Sequence, residues 1–380
     1  MFQTSANREE SNSEKYQARE RKFGTKDILP LWVADMDIDT PKFILDALKK
    51  RLDHPILGYE EISNSAFQAQ INWMKKHHNL ELKREEMFFS PSVLTSLNLA
   101  IQAFSEEGDK VLIQTPVYPA FASSIVNNQR IVLENPLKEK NGDYGFDFED
   151  LKAKISPRTK LLLLCSPHNP VGRVWKKDEL LELASICLEH DIKIIADEIH
   201  CDLSFTKHTP FASLSKEIAE QTMTLLSPAK TFNLSGMSIS TISISGNKMR
   251  EQFNRHYKAI HLGEGNSLAH VAFEVAYTHG EEWLSALKVH LNENIDVLYR
   301  QLKENNSKIS FTKPEATFLI WLDCRNLKLS EQNLEQYFID AGLGLNRGID
   351  FGDDGKGFMR LNIAISKNLF KKLLYKNLII

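Results

Sequence analysis

The chain has 380 residues, 42% hydrophobic, 9% aromatic and 26% charged, a composition that excludes a mostly disordered or collagen-like protein and suits one large α/β domain with a smaller companion. Lys and Arg number 47 against 50 Asp and Glu, a formal net charge of −3, so the overall field favours neither nucleic acid nor an anionic membrane, and a small metabolite is the default partner. Cys165, Cys187, Cys201 and Cys324 lack CxxC spacing, which argues against a disulfide framework and a zinc site and for a reducing compartment.

The opening MFQTSANREE is polar where a secretory signal is apolar, and no apolar run approaches the ~20 residues of a membrane-spanning helix, so a cytoplasmic location is expected. Residues 1 to about 28 read as an arm laid over another surface or as a mobile stretch, with order beginning at LPLWVADMD. Phe43, Ile44, Ala47, Leu48 and Leu52 recur at helical spacing after Pro41, and a second amphipathic helix is expected over 62–78. His77 and His78 adjoin each other on it and read as surface residues.

The middle of the chain alternates short apolar runs, at 110–114, 129–133, 160–165, 192–196, 222–226 and 239–244, with helical patterns such as 177–189. That alternation predicts an α/β fold with a mostly parallel sheet covered by helices. From 283, Leu284, Leu287, Leu291, Ile295, Leu298 and Leu302 hold helical spacing until Asn305 and Asn306, a long helix expected to lead into a smaller α+β C-terminal domain. The basic end LFKKLLYK reads as a helix face with solvated lysines.

In an open parallel sheet, ligands sit beyond the carboxyl ends of the strands. The segments following four of these apolar runs deliver Tyr118, then Asn169, then Asp197 with His200, then Ser227 with Lys230. Taken singly, Tyr118 could be a core aromatic, Asn169 a turn residue, Asp197 a helix cap and Lys230 a surface lysine. Together they suit one cofactor: a lysine to hold an aldehyde as a Schiff base, a buried carboxylate to keep a pyridine nitrogen protonated, a ring to stack on it, and hydroxyl and backbone donors for a phosphate. That set describes pyridoxal 5'-phosphate. No GxSxG, HExxH or P-loop is present, and Gly342, Gly344 and Gly348 fail dinucleotide-site spacing.

LPLWVADMD (29–37), GYEEI (58–62), TPVYPAF (115–121), SPHNPVGRVW (166–175), ADEIHCDL (196–203), SPAKTFNLSGM (227–237) and GFMRLNIA (357–364) resemble, in order, the fold-type-I pyridoxal-phosphate enzymes of the class I/II aminotransferase superfamily, most of all the cystathionine β-lyase (C–S lyase) group. The resemblance implies that Lys230 holds the cofactor covalently, Asp197 pairs with its ring nitrogen, Tyr118 stacks on the ring, and Asn169 and His200 serve the phenolic oxygen. It further implies that Ser227 and the backbone of Val93 and Leu94 hold the phosphate, that Tyr59 reaches it from a neighbouring subunit of a homodimer, that Arg360 takes the substrate α-carboxylate, and that Trp32 lines the substrate pocket.

The domains expected on that basis are an arm with the segment packing on the small domain (1–45), a large cofactor-binding domain (46–282) and a small domain (283–380). The implied activity is α,β-elimination of L-cystathionine or a related S-substituted L-cysteine to a thiol, pyruvate and ammonia; the alternative is an aminotransferase of aromatic or aspartate-like amino acids. Two positions depart from the family pattern. Ser92 stands where relatives carry glycine, an expected backbone cost, and Ser238 stands where aminotransferases carry a phosphate-binding arginine.

Overall fold

A computed structural model describes residues 1–262 and 265–375. Seven strands form the main sheet: β1 (Met87–Ser90), β2 (Lys110–Ile113), β3 (Ile131–Glu134), β4 (Thr159–Cys165), β5 (Lys193–Asp197), β6 (Thr222–Leu226) and β7 (Ser240–Ile244). Their spatial order is β1-β7-β6-β5-β4-β2-β3, with β7 antiparallel to both neighbours and the other pairs parallel. The six apolar runs of the sequence are six of these strands.

The continuous apolar run of β4 follows from burial on both faces. Leu161, Leu163 and Cys165 pack with Phe104, Phe121 and Phe253 on one side, while Leu162 and Leu164 pack with Trp175, Leu180 and Leu183 on the other. Successive side chains of a strand point to opposite faces, so a strand between two helical layers has no polar side to show. The helix Lys177–Glu189 supplies Leu180, Leu183, Ala184, Ile186 and Cys187 to the second layer.

β1 is short and precedes the helix Val93–Phe104. Ser92, at φ −163° and ψ 157°, caps that helix, its Oγ accepting a hydrogen bond from the Thr95 amide at 3.1 Å. The expected glycine-like cost therefore does not arise: the position is extended, a conformation open to any residue.

The 24-residue helix Glu281–Glu304 buries Leu284, Leu287, Leu291, Ile295, Leu298 and Leu302 and ends at Asn305, with Asn306 left-handed at φ 50°. Beyond it, β8 (Leu319–Asp323), β9 (Asn346–Arg347) and β10 (Phe358–Asn362) form an antiparallel sheet in the order β8-β10-β9. Leu29–Pro30 pairs in parallel with Leu343–Gly344, and Asp37 bridges to Ile365, so the N-terminal stretch lies against these C-terminal elements.

Of the two readings of residues 1–28, the arm laid over a surface is the one observed. It forms short helices at Glu14–Gln17 and Arg19–Phe23, and Lys15 is wholly buried. Lys371 and Lys372 are exposed on the final helix, whose Phe370 and Leu373 are buried. Residues 376–380 lie outside the described chain. Among the described residues, no helix is long and apolar enough to cross a membrane.

Candidate active site

Parallel strands deliver their loops to one sheet edge, and a cavity of about 190 Å³ opens there. Its walls include Tyr118 after β2, Asn169 after β4, Asp197 at the end of β5 with His200 just beyond, and Ser227 and Lys230 after β6. Val93 and Leu94 complete them from the helix that follows β1. Cys165 lies opposite Asp197 in the strand register and also lines the cavity, as do Ala34, Ile199, Ser235 and Ile239.

Each side chain has a local reason for its place. The Ile199 amide donates to Asp197 Oδ1 at 3.1 Å, fixing the carboxylate at the strand end. The Asn169 amide donates to Cys165 Sγ at 3.3 Å, and Gly172 turns that loop at φ 74°, where a Cβ would stand 2.5 Å from Pro314. Ser227 Oγ donates to the Ile239 carbonyl at 2.7 Å and accepts from the Ala229 amide at 3.0 Å. Lys230 Nζ donates to the Ala34 carbonyl at 2.6 Å.

Arg360, on the middle strand β10 of the small sheet, is buried behind Asn169 and donates to its Oδ1 at 3.1 Å. It also donates to the Trp32 carbonyl at 2.9 Å and to Asn346 Oδ1 at 2.8 Å, with its guanidinium 4.9 Å from the Phe351 ring centroid.

Burial dominates the electrostatics. It lowers Lys230 to about 8, where the positive charge of Arg360 adds to the effect and the negative charges of Asp35 and Asp197 oppose it. It raises Asp197 to about 7 against the Ile199 amide and the Lys230 charge. Burial, reinforced by the charges of Lys230 and Arg360, takes His200 down to about 3, so its imidazole is neutral. Burial also lowers Arg360 to about 10 and raises Tyr118 above its ordinary range.

Residues 26–375 match the family model "Aminotransferase class I and II". The chain belongs to the class I and II aminotransferase family. It is 43% identical over 90% of its length, and 90% of the relative's, to cystathionine beta-lyase PatB of Bacillus subtilis. Among solved structures, it superposes on cystalysin of Treponema denticola, which contains a pyridoxal 5'-phosphate cofactor, with a TM-score of 0.96 at 33% identity, covering 99% and 97% of the two chains. The pyridoxal-phosphate-bound C–S lyase of Staphylococcus hominis gives 0.92 at 31% identity, with the same coverage. The fold is pyridoxal-phosphate fold type I and the cofactor is pyridoxal 5'-phosphate.

The donor set fits that group. A lysine amine, a carboxylate and an aromatic ring share one cavity, beside a helix start whose first amides have no carbonyl one turn below to bond. His200 Nδ1 and Arg360 Nε are buried without a hydrogen-bond partner among the described residues, leaving polar capacity for ligand groups.

Tyr59 and Trp32 stand apart from the cavity. Tyr59 is fully exposed beside exposed Ile56 and Leu57. The Trp32 indole donates to the Lys15 carbonyl at 3.1 Å and its ring packs edge-on to Phe23, so this residue meets the site through its backbone, bonded to Arg360, rather than through its ring. Ser238 does not line the cavity, whereas its neighbour Ser235 does.

Sequence reasoning missed Cys165, Ala34 and Asn346, whose types carry no cofactor signal. It also misplaced His78, whose Nε2 lies 2.7 Å from buried Asp202 Oδ1. Consecutive helical residues point about 100° apart: His77 faces solvent and His78 the interior. Asp202 also accepts from Trp73 Nε1 and Thr231 Oγ1, so both its oxygens are occupied although Cys201 Sγ is close by.

Proposed function

We propose that this chain is a pyridoxal-phosphate-dependent C–S lyase that converts L-cystathionine or a related S-substituted L-cysteine, with water, to a thiol, pyruvate and ammonia. The observation that carries the reading is the sharing of one cavity by Lys230, Asp197 and Asn169, with Arg360 bonded to Asn169. The identity to a named cystathionine beta-lyase over nine-tenths of both chains supports elimination as the reaction.

Lys230 holds the cofactor covalently and Asp197 faces its ring nitrogen, where a carboxylate favours the protonated ring. Tyr118 stacks on the ring, and Asn169 and neutral His200 serve its phenolic oxygen. Ser227 and the amides of Val93 and Leu94 hold the phosphate. Arg360 takes the substrate carboxylate through its guanidinium, in a two-point geometry that a lysine could not reproduce, and Asn169 fixes that guanidinium from behind.

The chemistry supplied by bound pyridoxal phosphate is an electron sink for the pair left at Cα, which lets a sulfur substituent on Cβ depart. Lys230 Nζ would be the base that takes the Cα proton. Its amine is suited to the task because burial holds its pKa near 8 rather than 10.5.

The small domain is assigned to residues 283–380, with 46–282 as the cofactor-binding domain and 1–45 as the arm with the segment packing on the small domain. Tyr59, exposed in one chain with Ile56 and Leu57, is assigned to a homodimer interface, where it reaches the phosphate of the partner's site. A cytoplasmic location accords with four free, buried cysteines.

Incubation of the purified protein with L-cystathionine and no keto-acid acceptor tests the reading. Pyruvate with a stoichiometric free thiol is expected. Turnover only when a keto acid is added would assign the chain to the transaminating branch of the family instead.

A further inference from the structure

The segment 32–36 makes an unusual use of its backbone: every carbonyl in it receives a side-chain donor. The Trp32 carbonyl accepts from Arg360 and the Ala34 carbonyl from Lys230. Those of Val33 and Asp35 accept from Asn362 Nδ2 at 2.6 Å each, and that of Met36 accepts from Asn233 Nδ2 at 3.0 Å. The two side chains assigned to the substrate carboxylate and the cofactor thus hang on one strap, at carbonyls two residues apart.

The strap's other side is held by the N-terminal arm. Lys15, wholly buried, places Nζ 2.7 Å from Asp37 Oδ2 and 3.4 Å from Asp35 Oδ1, and donates to the Asp35 carbonyl at 3.3 Å. Arg8 spans the same two carboxylates, at 2.5 Å from Asp35 Oδ2 and 2.8 Å from Asp37 Oδ1. The carbonyl of Lys15 takes the indole N–H of Trp32. Four charges of alternating sign are thereby locked together beside the strap, where a buried charge is tolerated only with its partner in place.

We propose that Arg8 and Lys15 are positioning residues for the reaction: by clamping Asp35 and Asp37 they fix the strap whose Trp32 and Ala34 carbonyls orient Arg360 and the free amine of Lys230. The inference rests on the roles assigned above to those two side chains. Neither Arg8 nor Lys15 lines the cavity, so their effect passes through the main chain.

The test uses the cofactor-loaded full chain carrying Lys15→Met with Asp37→Asn, which removes a buried charge together with its partner, and separately Arg8→Gln, at a partly exposed position. Borohydride trapping with mass spectrometry reads cofactor on Lys230. Visible absorbance reads the Kd of 2-aminoisobutyrate, an amino acid with no Cα hydrogen, and pyruvate release gives KM and kcat. Lys230 is expected to stay loaded while the 2-aminoisobutyrate Kd and the KM each rise about tenfold or more and kcat falls less, since a loosened carboxylate clamp weakens binding first. Kd and KM within twofold of the parent in a folded variant overturn the proposal, and Arg8→Gln decides it should the double variant fail to fold. A parent chain without cofactor on Lys230 would instead overturn the functional reading on which the proposal stands, a failure seen before any variant is made.

Discussion

Asp197 ends its strand buried, a placement that costs the protein alone whenever its carboxyl is charged. Its pKa, raised by burial from 3.8 to about 7, means that between those values the folded chain holds a proton that the unfolded chain has lost. The contribution of Asp197 to the stability of the cofactor-free protein therefore falls as pH rises from about 4 to about 7, by up to about 4 kcal/mol for a shift of some three units. Replacing Asp197 by Asn removes that penalty. Cofactor-free Asp197→Asn is expected to unfold at higher urea than the parent at pH 8, with little difference at pH 4, while binding pyridoxal phosphate more weakly. Urea midpoints at the two pH values and a cofactor titration check both halves. That Lys230, Asp197, Asn169 and Tyr118 share one cavity was legible in the sequence because each follows an apolar run and the four together, though none singly, suit one ligand. Cys165 and Ala34 were not: a thiol in a core strand and an alanine carbonyl have no signature until the strap and the sheet bring them to the cavity.

At the scale of elements, the periodic segments were readable and the context-dependent ones were not. The helices Lys42–Leu52, Asn64–His78, Lys177–Glu189 and Glu281–Glu304 lie within a few residues of their expected positions, since amphipathic spacing survives any tertiary arrangement. β1, MFFS, carries no alternation and is only four residues long, so it becomes visible as a strand only through its pairing with β7. The reversal of β7 was equally hidden, because an apolar run does not record its direction. The turn between β1 and the following helix shows how a family exception can be benign. Ser92 keeps an extended backbone and its hydroxyl takes over the capping of the helix start. Ser92→Ala should thus lower stability by about 1 kcal/mol in urea unfolding, whereas Ser92→Gly should cost only a few tenths. A gain in stability with Ser92→Gly would mean that the position does favour glycine.

For the whole molecule, one chain leaves Leu52, Ile56, Leu57 and Tyr59 exposed on a single stretch, apolar surface that a soluble monomer seldom displays contiguously. Sedimentation at micromolar concentration is expected to show a dimer, and Tyr59→Phe to weaken cofactor binding without dissociating it; a monomer retaining full cofactor affinity would remove Tyr59 from the site. The arm, the strap, the cavity and Arg360 draw on residues from 8 to 360, so the site exists only in the complete fold, joined across the main sheet and the small antiparallel one. All of that architecture converges on one amine. Borohydride reduction of the cofactor-loaded protein, followed by peptide mass spectrometry, should find a pyridoxyl group on the peptide containing Lys230, and on no other lysine. An unmodified Lys230, or the label on another residue, would contradict the account.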